Sequence, residues 1–88
     1  MRTKYIVGEF PNGGLSVLAA ITFPESIPHD VMAEACVGGR NGVVSAGFFT
    51  VFNGQVDPYG ESTGLAVSSR PEDASLIARA IGAHPSCR

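Results

Sequence analysis

His29 and Asp30, followed by Glu34 on one helix, loosely resemble a metal-binding or acid–base cluster. An imidazole beside a carboxylate suits proton transfer, and His with Glu on one helix face suits a metal ion. The spacing fails the second test, because the residue four beyond His29 is Ala33. Asp30 and Glu34 do stand four apart, but two carboxylates without further ligands read as a solvated helix face. Gly60-Glu61-Ser62-Thr63-Gly64 spells the G-x-S-x-G nucleophile elbow. That elbow needs a strand before it, a helix directly after it, and a distant His and acid. Here Leu65-Ala66-Val67 reads as strand instead. Gly38-Gly39-Arg40-Asn41-Gly42 could offer N–H groups and a guanidinium to an anion, but it leaves a helix rather than opening one. The turn at Ser69-Arg70 is better placed, and its own Glu72 and Asp73 take the anion's role. His84 falls in a tail beside Pro85, and Phe48-Phe49 lacks the interleaved basic residues of a nucleic-acid stacking platform. Acid, base and nucleophile do not converge, so no catalytic, cofactor-binding or metal-binding residues are expected.

The elements that carry these residues follow one grammar used twice, in approximate half-repeats over residues 1–40 and 41–84. Phe10-Pro11-Asn12-Gly13-Gly14 and Phe52-Asn53-Gly54-Gln55 read as hairpin turns, since Asn and Gly tolerate the positive φ of tight primed turns. Ser26-Ile27-Pro28 and Ser69-Arg70-Pro71 read as helix starts, with Glu72 completing a capping box on Ser69. Gly38 and Gly82 read as helix ends. The sum is one domain over residues 1–88, with 83–88 a loose tail. It has the order ββαββα, an α+β two-layer sandwich in which a four-stranded antiparallel sheet carries both helices on one face. Leu15, Val17, Ala19, Ile21 and Phe23 alternate along the second strand and should point at the core. Ala74, Ile77, Ala78 and Ile81 form the stripe by which the last helix packs. The fourth strand is read with Tyr59, Thr63, Leu65 and Val67 on one face, and Gly47 marks a bulge or a close backbone approach.

An 88-residue chain has much surface, yet 44% of this one is hydrophobic and only 16% charged, against about 25% charged in ordinary domains. Residues 43–52 are the most apolar run, with Val44, Ala46, Phe48 and Phe52 on one face and Val43, Phe49 and Val51 on the other. With both helices on one side, the opposite side stays bare. Leu18, Ala20, Val44, Ala46, Phe48 and Phe52 are therefore the candidate interface, to be covered by a second copy in a homodimer or by a partner protein. Arg40 and Arg70 are the candidate polar contacts. A net charge of -2 with scattered basic residues argues against direct nucleic-acid binding, which needs clustered Lys and Arg. Cys36 and Cys87 are too few for a disulfide framework, and whether they pair stays open. No apolar run is long enough for a membrane span, and Met1-Arg2-Thr3-Lys4 does not open a signal peptide, so the cytoplasm is the expected location.

Ala46-Gly47-Phe48-Phe49, Tyr59-Gly60-Glu61-Ser62, Leu65 and Ser69-Arg70-Pro71-Glu72-Asp73-Ala74 resemble small uncharacterised accessory proteins encoded by bacteriophages and prophages. The resemblance covers roughly the second half of the chain and transfers no functional residue. It implies a non-catalytic protein, acting in the host cytoplasm, that binds and inhibits a host macromolecule, and anti-CRISPR and other anti-defence inhibitors share this size and mild acidity. The alternative is an oligomer that sequesters a small ligand such as a nucleotide, and a small enzyme comes third.

Overall fold

The computed structural model describes residues 2–82, the side chains of Asn12 and Arg40 excepted. Its elements in chain order are β1 (Thr3–Asn12), β2 (Leu15–Pro24), α1 (His29–Cys36), β3 (Val43–Phe52), β4 (Gln55–Tyr59), β5 (Glu61–Ser62), β6 (Val67–Ser68) and α2 (Asp73–Ile81). The first four strands form one antiparallel sheet in the order β2-β1-β3-β4, so the fold is α+β. Both hairpin turns form. Asn53 and Gly54 take φ of 53° and 79°, as a primed turn requires. The first turn falls one residue later than expected, at Gly13 and Gly14, because Asn12 pairs with Leu15 inside the ladder. Beyond the sheet, β5 and β6 make a separate short hairpin. Thr63 and Leu65 lie in its turn rather than in a fourth strand, which is β4 instead. Pro58 sits within β4, where an edge strand tolerates a missing N–H.

The two helices lie on opposite faces of the sheet, not on one. Successive strand residues point to opposite sides, and Tyr5, Ile6 and Val7 are all buried. Tyr5 and Val7 pack with Phe49, Val56 and the α2 residues Ile77 and Ala78. Ile6 packs with Phe23, Ala46, Leu65 and the α1 residue Ala33. A central strand that is apolar on both sides must be covered on both. α1 alone does not fill its side, and Leu65 and Val67 from the β5–β6 segment complete it.

A β-bulge sorts the residues of β3 between these layers. Val7 pairs with Ser45 while Gly8 pairs with Val43, which leaves Val44 as the extra residue. Val43 therefore joins Ala46 under α1, and Val44 packs against the α2 cluster. Strict alternation had placed Val44 with Ala46. The bulge separates them.

The face of β2 expected in the core is buried at one end only. β3 pairs with β1 only over residues 3–8, so the rest of the β1–β2 ladder projects as a two-stranded ribbon. Phe23 is buried and Ile21 half-buried, whereas Leu15 is 73% exposed and Val17 39%. Alternation fixes which side a residue faces. It does not say whether another layer lies there.

Candidate functional site

Each helix begins with a buried polar residue. His29 opens α1 and Asp73 opens α2. His29 Nε2 lies 2.9 Å from the carbonyl oxygen of Gly47 on β3, and since that oxygen only accepts, the ring nitrogen donates. The imidazole stands edge-on to Phe23 and Phe48, with ring centres 5.5 and 5.6 Å away. Burial pushes its pKa below the ordinary histidine value, and the charge of Lys4 adds to that. The Gly47 bond and Asp30 oppose it. The ring is thus neutral near pH 7, with its Nε2 proton committed to the backbone. Gly47 is required here by space: a Cβ on it would come within 2.6 Å of the Tyr59 carbonyl oxygen. The close approach expected at this glycine is present.

Around this ring lies a cleft of about 340 Å³ lined by Lys4, His29, Asp30, Phe48, Glu61 and Ser62. Lys4 Nζ donates to the carbonyl of Ile27 at 2.9 Å. The buried Ser62 hydroxyl accepts the backbone N–H of Leu65 at 3.3 Å, which closes the β5–β6 turn. The glycine–serine–glycine segment is therefore a hairpin, with a turn and not a helix after the serine. On the outer side of the cleft Phe48 stacks on Tyr59, with centres 5.7 Å apart. The Arg2 guanidinium lies 4.1 Å above the Phe48 ring and forms a 2.9 Å ion pair with Glu25. The Arg2 backbone N–H, and then its side chain, hold the Glu25 carboxyl below the usual carboxylate range. This arrangement provides aromatic faces and one guanidinium at the surface.

Asp73 is fully buried and is the hub of the other face. Its carboxylate accepts the Tyr5 hydroxyl at 2.5 Å and the Ser45 hydroxyl at 2.9 Å. It also accepts the Arg70 backbone N–H at 2.9 Å and the Arg70 guanidinium at 2.8 and 3.0 Å. Burial, and next the bond to Asp73, push the Tyr5 phenol far above its ordinary pKa, so it remains a donor. The capping box expected from Ser69 and Glu72 does not form. α2 starts at Asp73, and its cap position, Glu72, makes no side-chain cap bond. The Ser69 N–H instead donates to the Gly60 carbonyl, and the Asp73 carboxylate takes the N–H of Arg70. The sequence carries no local sign of this hub, because Tyr5, Ser45 and Asp73 lie on three separate elements.

The six candidate interface residues divide between the two faces. Leu18 is partly exposed on the ribbon, and Ala20 and Val44 pack against the α2 cluster. Ala46 is buried under α1, Phe48 belongs to the ring cluster, and Phe52 is 74% exposed at the β3–β4 turn. The bare sheet face that would have united them is covered. Arg70 is engaged by Asp73, with Glu72 also within 3.7 Å. The side chain of Arg40 lies outside the described residues, as do His84 and Cys87. Cys36 is exposed, with its thiol 3.4 Å from the Met32 sulfur. Asp30 and Glu34 are exposed. Among the described residues no three His, Cys, Asp or Glu side chains are grouped to hold a metal ion. No helix among them is long and apolar enough to cross a membrane. No family model matches the chain, and neither a curated protein nor a solved structure does.

Proposed function

We propose that this chain is a non-catalytic accessory protein that docks onto a host protein or protein complex in the cytoplasm and blocks it. The observation that supports the reading is Phe52. It stands 74% exposed beside the two-residue Asn53-Gly54 turn. Strand alternation puts it on the same face as the stacked Phe48–Tyr59 pair and the Arg2 guanidinium above it. Aromatic residues and arginine are the types that anchor protein interfaces. The resemblance of residues 46–74 to phage and prophage proteins makes a defence component such as a CRISPR effector the target to test first. The decisive comparison is wild type against Phe52→Glu, first as bait in host lysate and then by titration against the purified partner so identified. Loss of binding with unchanged thermal unfolding is the expected result. A partner bound equally by both proteins would overturn the assignment to this surface.

A further inference from the structure

The two edges of the sheet are built differently. β4 is short, contains Asp57 and Pro58, and both features discourage further pairing. β2 is ten residues long and carries no charged side chain, and its only proline is the terminal Pro24. Such an edge is a template for another strand. The two-residue Gly13-Gly14 loop makes Asn12 and Leu15 a bonded pair, so the odd-numbered residues of β2 bond to β1. Ser16, Leu18, Ala20 and Thr22 then aim their N–H and C=O groups outward.

We infer that this edge pairs antiparallel with the β2 edge of a second copy, about a twofold axis at Ala19, to give one continuous eight-stranded sheet. The register follows from three constraints. Twofold pairing must join outward-facing residues to each other, so the partner numbers sum to an even value. A sum of 38 spans residues 15–23 completely, whereas a sum of 40 brings in Pro24, whose missing N–H removes a ladder bond. Within the first register the side chains suit one another. Leu15 meets Phe23, Ser16 meets Thr22, Val17 meets Ile21 and Leu18 meets Ala20. Hydroxyl faces hydroxyl, apolar faces apolar, and no charge opposes another. Val17 and Leu18, 39% and 38% exposed in the single chain, are covered by the partner strand. The twofold axis stands perpendicular to the sheet, so the α2 layers of both copies lie on one side and the α1 layers on the other. Phe52, at the opposite end of the sheet from the ribbon tip, remains free, so this pairing does not depend on the proposed function.

Light scattering after size exclusion tests the pairing across a dilution series. Wild type is expected at twice the 9.1 kDa chain mass, and Leu18→Lys, which places a charge on the edge, at the single-chain mass with its circular dichroism retained. Residue 19 faces its own copy across the axis at a non-bonded position, where Cα atoms approach to about 4.5 Å, within disulfide reach. Ala19→Cys in a Cys36→Ser, Cys87→Ser background should therefore form a covalent dimer under mild oxidation, and Ser16→Cys in that background should not. A wild-type monomer at every concentration overturns the inference, as does a dimer that survives Leu18→Lys. Failure of Ala19→Cys to cross-link in a dimeric sample, or equal cross-linking through Ser16→Cys, overturns the register.

Discussion

His29 and Asp73 hold equivalent places in the two halves and do equivalent work by opposite means. Each is the first residue of its helix, each is buried, and each reaches the middle of the sheet. His29 is a neutral ring with one hydrogen bond to a backbone carbonyl, held edge-on between two phenyl rings. Asp73 is a carboxylate that accepts bonds from Tyr5, Ser45 and Arg70. A buried charge is tolerable only where such donors replace its water, and removing one partner leaves the rest stranded. A packed neutral ring carries no such obligation. α2 is therefore anchored by particular side chains, and α1 by shape, an apolar environment and a backbone acceptor.

The largest expected effect tests the charged anchor. Asp73→Ala leaves the Arg70 guanidinium and two buried hydroxyls without their acceptor, a loss of about 3–5 kcal/mol. Urea denaturation measures it. A loss below about 1 kcal/mol would mean that Arg70, Tyr5 and Ser45 find other partners, and the contrast between the helices would collapse.

The comparison sharpens with pH. Burial holds the His29 pKa in the folded protein below the ordinary value of 6.5. Between that depressed value and 6.5 the unfolded chain binds more protons, so stability is present above pH 6.5 and is lost as pH falls through this window. The sensitivity is about 1.4 kcal/mol for each unit by which the folded value is depressed. Denaturation midpoints at successive pH values should fall below neutrality in wild type, and the fall should flatten in His29→Phe, which keeps a ring. An identical slope in both proteins would assign the acid sensitivity to another group. Lys4 and Asp30 are the charged neighbours whose interactions with the ring bear on its titration.

The difference between the two anchors also marks what was legible in the sequence. Turns and helix ends are local events, and Asn53-Gly54, Gly38 and Gly82 adopt the positive φ that their positions imply. The α+β class and the rough ββαββα order follow from them, without the β5–β6 hairpin. The side on which each helix packs is set at longer range, by β1 residues 5–7 being apolar on both faces, and alternation in β2 or β3 alone does not show it. The extra residue Val44 then inverts the pattern near the start of β3. At Ser69-Arg70-Pro71-Glu72-Asp73 the local pattern pointed to Ser69 and Glu72 as the cap. Two donors from distant strands, Tyr5 and Ser45, made Asp73 the residue that matters.

The smallest expected effect is at the residue that sequence pattern favoured for the core. Leu15 is apolar and in phase with the buried Phe23, yet it is 73% exposed on the projecting ribbon. In the isolated chain Leu15→Ala removes little buried surface and should change stability by less than about 0.5 kcal/mol. If β2 pairs with a second copy, the same side chain lies opposite Phe23 of that copy, and its truncation weakens association instead. The two contributions separate by concentration. At high dilution wild type and variant should unfold together. As protein concentration rises, the wild-type midpoint should move up ahead of the variant's, because a partner that binds only the folded chain stabilises it by mass action. A loss of several kcal/mol already present at high dilution would place Leu15 in the core after all, and the ribbon beyond β3 would have to fold back onto the body.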